Sequence, residues 1–537
     1  MSFLTKLLEH YHLNLKDLDA RKASGSFVFL KRPDGIPSYE KFRKSLSMVI
    51  DKKEKTVIYG DYDVDGITSV AILKIALDKV GLNPGFFIPS RYVEGYGLNC
   101  DRVRQFQEKG YKVILTCDNG ITQFDAIALA VSLGMKVLVI DHHEKGETYP
   151  PFESLFHQIY SGFLDYNCSA ASLCYFVASS LLKRDDPYLA TLAGMAVFSD
   201  SMPLIGNNLQ FAKLALQFLN QYRYPNLVSL IGAKKKIDYS DINFNLNSPL
   251  NAVGRIRKDS LSTNNACRFL LCYDSNSNFD KYAKEILSCN AEKKDIIRTI
   301  TFLDQFTMET PYGICLRTDS YSGLTGLFAN KILREKKIPV AVFSQNESNP
   351  DVLVCSLRVP IGLKADEFLK RNESLFLTKG GHERACGFTI RKEDYFKVVT
   401  AFMTYFIKAT MDIPPIKEDF IEISLDEVNQ NNYLILEQFM PFGESFAAPQ
   451  FLVDIPLTSF SIAKSGKVAF ANSDDKTGKV VLFSHLDELK KKLDFIHCQE
   501  DDGSDFGYAQ VTGDFTREEY LQKESFRITA QTFIIKE

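Results

Sequence analysis

Thr56-Val57-Ile58-Tyr59 runs directly into Asp61-Tyr62-Asp63-Val64-Asp65-Gly66. The first four residues read as a short buried strand. The alternating Asp63 and Asp65 place two carboxylates on a tight turn at its end, and Gly66 lets the backbone bend into a helix. That helix is expected near 66–80, where Ile67, Val70, Ala71, Leu73, Ile75 and Leu77 make the segment strongly apolar. The pattern recurs twice. Lys112-Val113-Ile114-Leu115-Thr116 precedes Cys117-Asp118-Asn119-Gly120, and Lys136-Val137-Leu138-Val139-Ile140 precedes Asp141-His142-His143. Phe86-Phe87-Ile88-Pro89 reads as a further strand, with helices near 100–109 and 123–133. This alternation predicts a parallel sheet covered on both faces. A fourth acidic patch, Phe198-Ser199-Asp200-Ser201, ends part of a helix-rich stretch over about 168–232.

Carboxylates and imidazoles at the C-terminal ends of several parallel strands converge on one crevice. Hard oxygen ligands with one or two imidazoles suit Mn²⁺ or Mg²⁺ rather than a soft metal. The reading is a two-metal phosphoesterase centre. One carboxylate of Asp63 and Asp65 can reach each ion, Asp118 is placed to bridge the pair, His142 to ligate through a ring nitrogen, and Asp200 to close the cage. His143 would serve as a phosphate contact or proton donor, and Asp141 would orient an imidazole. A lone Asp at a strand end is ordinarily a turn former or helix cap. Four such patches in order on successive elements, one with a double His, are not explained that way.

Composition narrows the class without deciding it. The chain has 537 residues, 45% apolar and 24% charged, which fits a globular protein of about three domains. A net charge of −3 excludes a protein coated in positive charge but not a local basic groove. The 11 cysteines include no C-x-x-C pair, so they read as reduced thiols of a cytoplasmic protein. No run approaches the roughly 18–20 apolar residues that cross a bilayer. No membrane association is expected, and the chain is expected to be monomeric.

The expected division is a lead-in over 1–38, a catalytic α/β domain over 39–257, and a helical connector over 258–308. A smaller α/β domain over 309–413 follows, Pro414-Pro415 marks a linker, and an all-β barrel or sandwich occupies 420–537.

The four acidic motifs, with Met202-Pro203-Leu204 after Asp200, resemble those of the DHH phosphoesterase superfamily. Within it the chain is similar to the bacterial single-strand-specific 5′→3′ DNA exonucleases, in their domain order. The resemblance implies Asp63, Asp65, Asp118, His142 and Asp200 as ligands to two Mn²⁺ or Mg²⁺ ions, with Asp61 and His143 close by. Thr378-Lys379-Gly380-Gly381-His382 resembles the glycine-histidine signature of the DHH-associated domain. Paired glycines there would present backbone N–H groups, and His382 a donor, to phosphate. Ser356-Leu357-Arg358 resembles a Ser-x-Arg segment implied to hold the 5′ end, and Arg91 would be a further phosphate clamp. Asn251-Ala252-Val253-Gly254-Arg255 resembles a loop whose Asn251 and Arg255 would contact substrate. Pro441-Phe442-Gly443-Glu444 resembles the entry to the family's oligonucleotide-binding barrel. Lys464, Lys467, Lys476 and Lys479, interleaved with Phe460 and Phe470, fit a strand-binding face there and equally a solvated one. The chain departs from the pattern at Tyr59, where several relatives have His. It also departs before Asn251, where an Arg is missing, and across Ser320–Gly326, which lacks a Trp-His pair.

Three functions stand open on the sequence: an exonuclease on single-stranded DNA acting in recombination and repair, a phosphodiesterase on oligoribonucleotides or cyclic dinucleotides, and an inactive replication scaffold. A single-strand-binding protein or a helicase is a candidate partner.

Overall fold

The computed structural model describes all residues except 275–277, 320, 412–418, 475–476, 499–506, 521–522 and 537. Pro414-Pro415, Lys476 and Ser320 therefore lie outside the described residues. The chain divides into two compact units, one of Phe27–Pro415 and one joining Met1–Ser26 to Ile416–Glu537.

The larger unit holds two sheets. The first comprises β1 (Thr56–Tyr59), β2 (Gly85–Phe87), β3 (Val113–Cys117), β4 (Lys136–Ile140) and β5 (Ser154–Phe156), all parallel, in the order β2-β1-β3-β4-β5. Side chains alternate across it with the strand period of two. Val57, Tyr59, Ile114, Val137 and Val139 pack one face against Val103, Phe106, Ile127 and Ala130 of the helices Cys100–Glu108 and Phe124–Ser132. The other face meets the helices Val64–Lys79 and Ala170–Leu182. Nearly every residue from Val64 to Leu77 is buried, because that helix lies between the sheet and further helices. Its Ile67, Val70, Ile72, Leu73 and Leu77 side chains each contribute roughly 1.5–3 kcal/mol by leaving water. The chain leaves β1 for β2 on one side and returns to β3 on the other. That reversal opens a crevice at the C-terminal ends of β1 and β3.

Gly66 has a different role from the expected bend. It lies inside the helix, and a Cβ there would collide with the Asp61 backbone, so the residue is set by close approach. Gly254 likewise admits the Tyr62 carbonyl, 2.7 Å from where its Cβ would stand. This seats the helix Ser248–Ile256 on the acidic turn.

Two helices, Ser260–Leu271 and Asp280–Thr299, lead to the second sheet. Its strands are β6 (Met308–Thr310), β7 (Gly313–Thr318), β8 (Val340–Gln345), β9 (Val352–Arg358), β10 (Thr378–His382) and β11 (Ala385–Arg391). The order is β10-β11-β9-β8-β7-β6, with only β7–β8 parallel. The Gly-Gly-His segment lies on the edge strand β10.

The smaller unit corrects two expectations. The lead-in over 1–38 is divided: the helices Phe3–His10 and Leu15–Ala23 pack with the C-terminal residues instead. Tyr11 stacks on Phe446 at 4.3 Å, and Arg21 lies 3.7 Å over the same ring. The Arg21 guanidinium also donates to the carbonyls of Phe439 and Pro441, both at 2.7 Å. Nothing local in residues 1–26 signals partners four hundred residues away. Nor is the C-terminal part all-β. Its seven strands are β12 (Phe420–Glu422), β13 (Gln450–Pro456), β14 (Ser461–Ile462), β15 (Ala469–Asn472), β16 (Gly478–Leu482), β17 (Tyr508–Tyr520) and β18 (Lys523–Lys536). They form a mixed sheet in the order β12-β13-β17-β18-β16-β15-β14, and no pairing of β12 with β14 closes it among the described residues. The helices Gln430–Glu437 and Leu486–Cys498 accompany it. Leu486, Leu489 and Leu493 carry the helical spacing that marks the second. Phe460, expected as a stacking face, is core, with its ring 6.0 Å from Phe533.

Candidate metal centre and cationic cleft

Asp61, Asp63 and Asp65 leave the end of β1, Asp118 leaves β3, and Asp141-His142-His143 leave β4. Asp200 caps the C-terminus of the helix Pro187–Ser199. Their ligand atoms meet in three overlapping groups, each within 4.8 Å: Asp61-Asp63-Asp118, Asp118-His142-His143 and Asp65-His142-Asp200. Asp118 belongs to two of these groups, as does His142. All the ligands expected from the sequence are therefore gathered in one place.

Local structure holds them rigidly. The Asp63 carboxylate caps its helix by accepting from Gly66 N at 3.1 Å. Asp65 accepts from Ala170 N and Ala171 N at 2.7 and 2.8 Å, tying the first turn of one helix to the start of another. Asp118 adopts a left-handed backbone, φ 63°, which Asp tolerates better than most residues. Asp141, fully buried, accepts through one oxygen from His142 N (2.8 Å), His143 N (3.2 Å) and His143 Nδ1 (2.8 Å). Its other oxygen accepts from Ile121 N at 2.9 Å. Asp141 thus orients His143 rather than joining the cluster.

The electrostatics ask for a cation. Burial, then the charges of Asp65 and Asp63, pushes the Asp118 carboxyl well above its ordinary range. Burial, followed by repulsion from neighbouring carboxylates, raises Asp61 and Asp200 in the same direction and brings Asp65 to about 7. Asp200 stands at the negative end of a helix, which adds to the cost. Asp61 Oδ1 is buried with no hydrogen-bond donor. His142 is pushed down to about 3 by burial and then by His143, so its imidazole is the neutral form a metal takes. Its Nε2 lies 3.2 Å from Asp118, 3.6 Å from Asp200 and 3.8 Å from Asp65. Burial opposes the charge on His143, but the hydrogen bond and charge of Asp141 outweigh it and hold that imidazole at about 9. Converging carboxylates, an orphaned oxygen and a free-base imidazole fit divalent cations.

Next to the cluster is a cavity of about 250 Å³, whose lining includes Asp61, Asp63 and His143 together with Arg91, Asn251 and Arg255. Arg91 lies 5.3 Å over the Tyr62 ring. Burial and then the charge of Arg91 push Arg255 down to about 10, with Arg358 adding to the repulsion. Arg91 and Arg358 thus both act on Arg255 as like charges, while Asp63 acts in the opposite sense. Arg358 comes from the end of β9. A Cβ on Gly326 would stand 2.9 Å from its Nη2 and 3.5 Å from Ser356 Oγ, so that glycine makes room for both. Arg358 and Ser356 stay outside the cavity lining, as do Gly380, Gly381 and His382, which are exposed on the edge strand β10. Asn251, expected to touch substrate, has its amide engaged by protein. Its Oδ1 accepts from Val64 N at 3.0 Å, and its Nδ2 donates to Ser199 Oγ at 3.0 Å, bracing the turns that carry Asp63 and Asp200.

Sequence reasoning missed Tyr96. Its hydroxyl lies 3.1 Å from His143 Nδ1 and 3.3 Å from the Asp118 carbonyl. A tyrosine between two glycines in an exposed loop carried no signal of that placement.

Residues 55–197, which hold the strands of the parallel sheet, match the model of the DHH family, N-terminal domain. Along most of its length the chain is similar to RecJ. It is 26% identical over 458 residues to the single-stranded-DNA-specific exonuclease RecJ of Bacillus subtilis, covering 82% of this chain and 57% of that protein. With the Escherichia coli RecJ it is 27% identical over 442 residues, covering 74% of each. The alignment thus spans little more than half of the first relative. The crystal structure of RecJ with Mn²⁺ from Thermus thermophilus superposes with a TM-score of 0.78 at 20% identity, covering all of this chain and 76% of that one, which shows a shared fold.

Proposed function

We propose that this protein is a divalent-cation-dependent exonuclease that hydrolyses single-stranded DNA from its 5′ end to mononucleotides, in DNA recombination and repair. The observation that carries the reading is that a buried carboxylate–imidazole cluster and the guanidiniums of Arg91 and Arg255 line one cavity. One half calls for cations and the other for phosphate. The similarity to proteins named single-stranded-DNA-specific exonucleases supplies the substrate.

Asp61, Asp63, Asp65, Asp118, His142 and Asp200 would hold two Mn²⁺ or Mg²⁺ ions, with Asp118 shared. When bound, these ions supply Lewis acidity toward a phosphate oxygen and make hydroxide available near neutral pH. Arg91 and Arg255 grip phosphate oxygens, and their loss of mutual repulsion on binding an anion adds to the affinity. Arg358 and Ser356, and the N–H groups and imidazole of Gly380-Gly381-His382, extend that grip along the strand. Asp141 keeps His143 protonated near neutral pH, and His143 lines the cavity, where it can donate to a phosphate or leaving oxygen.

We keep the division into a DHH domain over 39–257, a connector over 258–308 and a DHH-associated domain over 309–413. The sheet of 420–537 is read as an oligonucleotide-binding, OB-like unit that favours long polymers over dinucleotides. A monomer working in the cytoplasm with a single-strand-binding protein or helicase completes the proposal. No helix among the described residues is long and apolar enough to cross a membrane. The test is digestion of 5′- and 3′-labelled single strands with Mn²⁺, beside matched duplex, RNA and a dinucleotide. Release of mononucleotides from the 5′ end of single-stranded DNA is expected. Preference for the dinucleotide, or no release from any substrate, overturns the reading.

A further inference from the structure

β5 was not anticipated from the sequence, and it places two unassigned side chains against the His142-His143 turn. β4 and β5 are parallel neighbours with Ile140 opposite Phe156, so the residues after each strand leave the sheet side by side. The ladder continues for one backbone bond, Asp141 N to the Phe156 carbonyl at 3.2 Å. Beyond that point side chains take over. Gln158 Nε2 donates to the His142 carbonyl at 2.9 Å. His157 Nε2 lies 2.9 Å from the His143 carbonyl. Its Nδ1 accepts from Ile159 N at 3.0 Å and from Tyr160 N at 3.2 Å. An Nδ1 that accepts twice carries no proton, so Nε2 bears the hydrogen and donates it to His143. His157 is 1% exposed and Gln158 0%.

All four polar groups of the His142-His143 backbone are thus held. Asp141 takes both N–H groups, while His157 and Gln158 take both carbonyls. A peptide unit fixed on both edges cannot rotate, and its rotation would swing the two imidazoles out of their clusters. We propose that His157 and Gln158 are positioning residues for the cation centre, fixing the direction of His142 and His143 through their carbonyls. This inference rests on the reading of that cluster as a metal centre. It adds residues of the neighbouring strand that touch neither cation nor substrate.

The test uses the full chain and three variants. His157→Phe keeps the ring, and its contact with Tyr160 at 4.3 Å between ring centres, while removing donor and acceptor. His157→Gln restores a donor at similar reach. Mn²⁺ binding is followed by electron paramagnetic resonance of the free ion, together with thermal melting and kcat and KM at saturating Mn²⁺. Loss of a group that orients a metal-binding segment from outside the ligand shell costs roughly 10–100-fold in metal affinity or activity, and His157 holds the carbonyl of His143, the residue next to His142. His157→Phe is therefore expected to bind Mn²⁺ that much more weakly and to lose kcat with little change in KM for the strand, and His157→Gln to recover most of both. A folded His157→Phe with parental Mn²⁺ affinity overturns the proposal, as does a His157→Gln no better than His157→Phe. If His157→Phe does not fold, Gln158→Met decides: weakened Mn²⁺ affinity supports the proposal and parental affinity overturns it. Failure of the parent to bind Mn²⁺ is a separate outcome and sinks the metal-centre reading itself.

Discussion

Asp118→Asn separates the account from an ordinary buried-polar substitution, because the two halves of its effect carry opposite signs. Asp118 shares a group no wider than 4.8 Å with Asp61 and Asp63. Two full charges at that separation repel by about 3.5 kcal/mol at an effective dielectric constant of 20. Asp63 is partly exposed, which lowers its share through screening. Among the described residues the favourable neighbours of the Asp118 carboxylate are the imidazoles, Nε2 of His142 at 3.2 Å and Nδ1 of His143 at 4.0 Å, so the isosteric amide gives up little. Without metal, the variant should be more stable than the parent by about 1–3 kcal/mol, a rise in melting temperature of roughly 1–4 °C. With Mn²⁺ at 100 times the parental Kd, the parent gains about 2.7 kcal/mol by mass action. The variant should gain almost none of that and should lose hydrolysis by about 10³-fold or more. Differential scanning fluorimetry in EDTA and in MnCl₂, beside the strand-digestion assay, reads both signs. A variant that melts lower than the parent in EDTA, or that keeps the full Mn²⁺ shift, refutes the reasoning.

Gly66→Ala forces a Cβ into the Asp61 backbone and should cost about 3 kcal/mol or more, with melting temperature and activity lost together. Gly326→Ala presses on the far end of the Arg358 side chain and touches Ser356 Oγ at an ordinary 3.5 Å, so the fold should persist while KM for a 5′-phosphorylated strand rises severalfold more than for a 5′-hydroxyl strand. Arg255→Met removes a guanidinium crowded by Arg91; strand binding should weaken, and the slope of log K against log salt should shrink by about 0.7 for each phosphate that is no longer neutralised. Lys293, 5% exposed, is pushed down to about 8 by burial and then by Arg255. The unfolded chain holds that proton up to 10.5, so between pH 8 and 10.5 the folded chain binds fewer protons and stability rises with pH. Urea denaturation at pH 7.5 and 9.5 should show this gain in the parent and not in Lys293→Met.

The acidic centre was legible because its chemistry sits beside the strongest local signals. Each strand that carries a ligand is a short apolar run, and the polar residue that follows it has few alternatives. The supports were not legible. Asn251 lines the cavity, but the bonds of its amide to Val64 and Ser199, which lie far from it in sequence, had no local signal. β5, a three-residue strand, has no period to read, so His157 and Gln158 beyond it had no context. Gly66 carried a correct importance with a different cause, since a close approach cannot be told from a turn without the neighbouring backbone. In the C-terminal unit, turn-like Asp and Gly residues masked the Leu486–Cys498 helix, and residues 1–26 join that unit through aromatic stacking that no local pattern announces.

The central claim is that side chains from three strand ends and one helix end form a seat for two cations. Anomalous diffraction from crystals soaked in MnCl₂ measures it without recourse to activity. The account predicts two manganese peaks with the Asp118 carboxylate between them and His142 Nε2 within bonding distance of one. A difference map with no peak inside the Asp61–Asp200 cluster at saturating Mn²⁺ would contradict it.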